Sequence, residues 1–162
     1  MPNDAPKPLA DLVDARTIVM LMTMVGAEHS SRPLTCLKVD DDRLSFLVDR
    51  SADWVGAIAD GTAVVHATVA DGRENTYVAM NGGATVTQDS AEIDELWNPV
   101  AGIYFDGGKE DPNVAVLHLD VDDGEYWDGP SGRIGAAVGL LRAKLSGDPT
   151  KSGDRGEIAT DS

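Results

Sequence analysis

A chain of 162 residues, 42% of them hydrophobic, is long enough to bury the core of one domain and has the composition of a globular protein. Its 28 acidic residues outnumber its 13 basic residues, and the formal net charge of −15 disfavours binding to nucleic acid or to an anionic membrane surface, since both are polyanions. The single cysteine, Cys36, excludes an intrachain disulfide and a cysteine-rich zinc site. The lack of a signal-like or membrane-spanning apolar run predicts a cytoplasmic protein.

The first half of the chain predicts an antiparallel sheet that is interrupted by one short helix. The predicted elements are a helix over about 8–15, strands over 17–25, 32–39 and 44–48, a helix from 51 to 61, and strands over 62–69 and 76–87. The strand at 17–25 is apolar on both faces, which predicts full burial, and the turn before the second strand covers 26–31. Short connections favour antiparallel pairing, and Gly82 with Gly83 predicts a bulge or a close backbone approach.

The second half predicts two helices around one more strand. Asp89 followed by Glu92 is a capping-box pattern at the start of a helix. The loop 106–112, rich in turn-forming residues, is either a flexible lid or a rigid connector. The remaining predictions are a strand over 114–121, a turn at 122–124, a short extended segment at 125–127, a helix over 134–145 and a disordered tail over 146–162.

Together these elements predict one domain over residues 9–145, preceded by a flexible N-terminus at 1–8. The domain is mainly β, a small antiparallel barrel of about six strands with flanking helices.

Residue types that carry chemistry are scattered along the chain. His29 is interpreted as a turn residue, and His66 and His118 lie on strands among apolar neighbours, where a lone histidine is usually structural. A metal site is therefore not supported. Cys36 lies within a predicted strand and is interpreted as a small core residue. The sequence contains neither a glycine-rich phosphate loop nor a nucleophile elbow.

Five segments nevertheless follow one another in a specific order. They are Ser31-Arg32-Pro33-Leu34, residues 44–51, Glu95-Leu96-Trp97-Asn98-Pro99, residues 106–112 and Glu125-Tyr126-Trp127-Asp128-Gly129-Pro130. Their succession resembles the general stress protein branch of the pyridoxamine 5′-phosphate oxidase-like, FMN-binding split barrels. The resemblance runs from about residue 12 to 145. It implies a six-stranded antiparallel Greek-key split barrel that forms a homodimer through a large interface, with two FMN molecules in the clefts between subunits.

The resemblance also assigns cofactor-binding residues by position. They are Arg32, Pro33, Leu34, Val48, Asp49, Arg50, Ser51 and Trp127. The relatives usually hold the cofactor phosphate with a threonine, a serine and a lysine, where this chain has Val48, Ala52 and Trp54. Asp53 adds a negative charge there. Trp54 either stacks on an aromatic ligand or packs in the core.

Two main hypotheses about function follow. In the first, the chain is an FMN-binding protein and a candidate flavin-dependent oxidoreductase linked to stress, in which the flavin performs the redox chemistry. In the second, it is a non-enzymatic binding or sensor protein that holds another ligand, such as deazaflavin or heme, or none. A purely structural dimeric stress protein is a third reading. No catalytic acid or base is identified, and the C-terminal Arg-x-His motif of the true pyridoxine oxidases is absent.

Overall fold

The computed structural model describes residues 5–59, 63–129 and 154–160. The strands are β1 (Lys7–Pro8), β2 (Ile18–Val25), β3 (Glu28–Thr35), β4 (Lys38–Asp40), β5 (Arg43–Asp49), β6 (Ala63–Asp71), β7 (Thr76–Thr87), β8 (Val114–Asp128) and β9 (Asp154–Ala159). The α-helices are α1 (Asp53–Ala59), α2 (Ser90–Leu96) and α3 (Ala101–Tyr104), and short 3₁₀ helices cover Leu9–Asp11 and Gly108–Glu110. The mainly β class with few helices is confirmed. The helix predicted over 134–145 lies outside the described residues.

The described strands form one bent sheet of nine strands rather than six. Its main path runs β1-β9-β8-β7-β6-β2-β3, while β5 pairs with β8 and β4 pairs with β5. Neighbours are antiparallel except β1 and β9, which are parallel. The first half of β8 lies between β5 and β7, and its second half lies between β7 and β9. This single strand therefore joins both parts of the sheet.

The turn predicted at residues 122–124 is wrong, because β8 runs straight through it. Asn81 of β7 pairs with Asp123, and Gly82 pairs with Val121, so Asp122 is an extra residue in the ladder. This bulge lies opposite the predicted glycine position. It also reverses which side chains face inward: Leu119 and Val121 are buried before it, and Tyr126 is buried after it.

The tail predicted to be disordered over 146–162 contains strand β9, so that expectation is wrong for residues 154–159. Ile158 is 6% exposed, and Gly156 lies opposite the buried ring of Tyr126. The Tyr126 hydroxyl donates to the carbonyl of Ala5 at 2.8 Å. The Lys7 ammonium lies 4.7 Å from the centre of the Tyr126 ring, so residues 5–8 of the predicted flexible N-terminus are ordered against the sheet.

Most buried residues form one core between the inner face of the sheet and α1. Its largest fully buried side chains include Tyr126, Phe46, Leu9, Leu21, Leu44 and Ile58. A second, smaller core lies on the other face of β8 beneath α2 and contains Ile93, Leu96, Phe105, Val114 and Val116. No helix in the described part of the chain is long and apolar enough to cross a membrane.

Three local predictions need correction. The helix predicted over 8–15 is reduced to the 3₁₀ turn Leu9–Asp11. The turn predicted at 26–31 is only two residues long, with Gly26 at φ +62°, so His29 lies on β3 rather than in a turn. The Asp89 carboxylate does accept from the amides of Ala91 and Glu92, but the side chain of Glu92 does not complete a capping box, because it contacts His118.

Candidate functional site

Arg32 and Trp54 form a stacked pair at the open edge of the sheet. Arg32 lies on the inner face of β3, opposite Leu21 of β2, and its guanidinium carbon is 4.2 Å from the centre of the Trp54 ring on α1. Its Nη1 donates to the hydroxyl of Thr23 at 2.9 Å, and its Nη2 donates to Ser30. Thr23 is only 4% exposed, so this bond draws the guanidinium inward. Burial lowers the pKa of Arg32, which stays charged at neutral pH.

Trp54 packs against the main core, as one of the two interpretations expects, while its stacking on an aromatic ligand stays a prediction. Its ring packs against the main core, yet it is only partly buried and carries a cation over its face. Leu34, two residues from Arg32 on the same face of β3, is also half-buried against this core. Together the three side chains make an amphipathic surface with one positive charge.

The turn between β5 and α1 forms a second group of predicted residues. The Asp49 carboxylate accepts from both the amide and the hydroxyl of Ser51, at 2.8 and 2.6 Å. Arg50 donates through Nη1 to the Gln88 side chain at 2.7 Å, and its amide donates to Asn113 at 2.8 Å. Gln88 in turn donates to the carbonyls of Pro112 and Val114. Arg50 is thus directed toward the 106–112 loop.

The remaining predicted residues lie apart from these two groups. Pro33 is exposed on the outer face of β3, and the side chain of Val48 is 4% exposed in the main core. Trp127 lies near the end of β8 on its outer face, since the adjacent Tyr126 is buried on the inner face and Trp127 is 37% exposed. Its ring is 5.5 Å from the guanidinium of Arg155 on β9. Within one chain, Trp127 does not meet the Arg32–Trp54 pair.

A buried polar network was missed by the sequence analysis. His118 on β8 lies 3.0 Å from the Ser45 hydroxyl through Nδ1 and 2.6 Å from the Glu92 carboxylate through Nε2. The order of groups is that of a hydrolase triad, but Ser45 is 3% exposed and no substrate can reach it. The network joins α2 to the sheet. No sequence signal marks it, because its members lie far apart in the chain.

His66 and Cys36 have structural environments. His66 contacts Asn81 at 2.8 Å, and Asn81 donates to Asp123 at 2.8 Å across the bulge. Cys36 is fully buried, as predicted, and burial raises the pKa of its thiol to about 11. Its reactive thiolate is therefore scarce at neutral pH. Among the described residues, no group of histidines, cysteines and carboxylates is arranged to hold a metal ion.

The prediction that β2 is buried on both faces is wrong for the outer face. Val19 and Leu21 are fully buried on the inner face, but the side chains on the outer face are 39–60% exposed. With an exposed valine of β6, these form a continuous apolar surface, called here the methionine face: Ile18, Met20, Met22, Met24 and Val64. Scattered apolar residues are normal on a surface, whereas a contiguous row indicates an interaction site.

Comparison with known proteins gives one family and a consistent set of structural neighbours. The sequence model of the family described as "Pyridoxamine 5'-phosphate oxidase like" matches residues 4–151. None of the curated proteins matches the chain.

Three solved structures illustrate the structural likeness. General stress protein 26 from Jannaschia sp. CCS1 superposes with a TM-score of 0.74 at 24% identity, covering 91% of this chain and 92% of that one. General stress protein 26 from Bacillus anthracis has a TM-score of 0.64 at 19% identity, over 73% and 89% of the chains. The general stress FMN/FAD binding protein from Xanthomonas citri has a TM-score of 0.63 at 28% identity, over 72% and 83%. The predicted split-barrel fold is confirmed.

Proposed function

Because the chain belongs to the pyridoxamine 5′-phosphate oxidase-like family, we propose that it binds a flavin, FMN in the first instance, in a cleft between two copies of itself. The observation that carries the proposal is the likeness to the Xanthomonas citri protein, whose name describes it as FMN/FAD binding. The link to stress rests on the names of the structural neighbours.

The residues at the open edge of the sheet fit the ring system of a flavin. Trp54 and Leu34 offer aromatic and aliphatic surface, and Arg32 offers a cation beside them. A bound flavin would supply the redox chemistry, so an oxidoreductase activity is part of the proposal. This chain would bind and orient the ring and shield it from water. Trp127 would contribute to the same cleft only from the partner subunit, because it lies on the outer face of β8, whereas Arg32 lies on the inner face of β3.

A homodimer is the second part of the proposal, and the methionine face supports it. Replacing Met24 with Glu should weaken association at least tenfold, since a buried unpaired carboxylate is costly. Val100→Glu is the matched control, because Met24 and Val100 are both 60% exposed but Val100 lies on a different surface beside α3. Sedimentation equilibrium at micromolar concentration measures both variants. A folded, monomeric wild-type protein would contradict the proposed dimer and the shared cleft.

The flavin proposal is tested by the visible absorption spectrum of freshly purified protein, followed by release and chromatography of any chromophore. A flavin spectrum, or tight binding of added FMN or riboflavin, is expected. A heme spectrum, or the absence of both chromophore and flavin binding, would refute the proposal.

A non-enzymatic binding or sensor protein is the second candidate. The observation that favours it is the composition of the residues assigned to the site: besides Trp54, the polar ones are Arg32, Asp49, Arg50, Ser51 and Asp53. None of these is a histidine, lysine, tyrosine or cysteine placed to exchange protons with a substrate. Steady reduction of the bound flavin by a nicotinamide cofactor, coupled to turnover of an acceptor, would favour the enzyme instead.

A further inference from the structure

We infer that this site recognises a flavin by its ring system and gains little from the flavin's phosphate. The inference rests on the proposed flavin-binding function and concerns which form of the ligand the site selects. Three features of the described residues carry it: the partners of Arg32, the partners of the turn at 49–51, and the balance of charge among the residues assigned to the site.

Both terminal nitrogens of Arg32 already donate a hydrogen bond. One face of its guanidinium covers the Trp54 ring, Nη1 is bound to the buried Thr23, and Nη2 is bound to Ser30. A bidentate grip on a phosphate needs two guanidinium nitrogens turned toward it. Turning both terminal nitrogens toward a phosphate would break the bond to Thr23 and leave this buried hydroxyl without its Arg32 donor, which is costly.

The donors of the turn are also engaged, and by a carboxylate. Asp49 accepts from both the amide and the hydroxyl of Ser51, so an incoming phosphate would compete with an anion for these two groups. Arg50 is held by Gln88 and directed toward the 106–112 loop. Asp53 places another carboxylate in the first turn of α1, a helix of only seven residues.

The charges on the residues assigned to the site therefore cancel. Arg32 and Arg50 are matched by Asp49 and Asp53, and the whole chain carries a net charge of −15. A phosphate monoester carries about −1.5 to −2 charges at neutral pH, so it enters a site without excess positive charge. The ring and the ribityl chain bring no such charge and lose nothing there.

Titration of the full-length protein with FMN and with riboflavin, followed by quenching of flavin fluorescence, tests the inference. The two dissociation constants are expected to agree within about fivefold, the size of an exposed ion-pair effect. The dissociation constant for riboflavin divided by that for FMN should not fall as the salt concentration is raised. Salt screening lowers this ratio only where the site has a net electrostatic attraction for the phosphate.

Two substitutions should create the missing preference. Trp54→Lys adds a cation and releases Arg32 from the ring, and it should raise the preference for FMN about tenfold or more. Trp54→Phe keeps an aromatic face for Arg32 and adds no charge, so its preference for FMN over riboflavin should stay close to that of the wild type. Asp53→Asn removes an exposed carboxylate with little risk to folding, so it decides the matter if Trp54→Lys does not fold. It should shift the ratio toward FMN by about threefold, as expected for one partly screened charge.

The outcomes separate this inference from the proposed function. If the wild type binds FMN more than about fivefold more tightly than riboflavin, the flavin function stands and the inference is overturned. If Asp53→Asn and a folded Trp54→Lys both leave the ratio unchanged, the assignment of these residues is overturned. If neither flavin binds the wild type, the proposed function and this inference both fail.

Discussion

Removing strand β9 by ending the chain after residue 153 is expected to destabilise the protein by about 2–5 kcal/mol or more. The deletion removes the buried side chain of Ile158, and loss of such a side chain alone has a cost in this range. It also uncovers Tyr126 and leaves the β8 backbone between Glu125 and Asp128 paired only with β7, without its second ladder partner. Chemical denaturation followed by tryptophan fluorescence measures the loss.

Two further variants show that the effect comes from the strand. Ile158→Ala should reproduce much of the loss, while a chain ending after Ala159 keeps every β9 pair and should differ from the full-length protein by less than about 0.5 kcal/mol. Equal stability of the full-length chain and the chain ending at residue 153 would show that β9 contributes nothing to the fold.

Gly82→Ala should destabilise the protein by about 1–3 kcal/mol or more, because the added carbon has no space. A β-carbon at this position would overlap the carbonyl oxygen of Asp120 and lie 2.8 Å from its carbonyl carbon. Both atoms are backbone atoms of a paired strand, so the clash can be relieved only by moving β8 away from β7.

Gly72→Ala is the matched control, since nothing lies within 4 Å of the added carbon in that exposed turn. Its free energy of unfolding should stay within about 0.5 kcal/mol of the wild-type value. If thermal and chemical denaturation give the same stability for both alanine variants, the bulge tolerates a side chain. The close approach of β8 to Gly82 would then not restrict the residue at this position.

Most of the central sheet could be predicted because its strands alternate in hydrophobicity. On β6, the side chains of Val65, Ala67 and Val69 face the core of the domain, as their spacing predicts. Strand β9 could not be predicted in this way. Ile158 is its one large apolar residue, so the strand shows no alternating hydrophobic pattern, and only its pairing with β8 and β1 reveals it.

The bulge was mistaken for a turn for a related reason. Asp122, Asp123 and Gly124 are residues that favour turns, and only the partner strand shows that they continue a ladder. Asn81 of that partner donates to Asp123, which gives the carboxylate a role in the extended chain. The local preference of these residues favours a turn, but their pairing with β7 keeps the chain extended.

The candidate site could be predicted only by resemblance, and then only as a set of positions. Nothing in the sequence places Arg32 over Trp54, because their contact depends on how the edge strand β3 lies against α1. The same is true of Asp49 and Ser51, whose hydrogen bonds follow from the geometry of one turn.

The parallel pair of β1 and β9 has a consequence for the order of folding. It joins Lys7 to Ile158, two residues separated by 158 − 7 = 151 positions. Contacts between such distant residues bear the largest loop-closure entropy and form after local hairpins such as β2 with β3. On a ribosome, this corner of the sheet forms only after β9 has emerged. Until then Tyr126 and the second half of β8 present an unpaired strand edge. Chaperones shield edges of this kind, and aggregates extend from them.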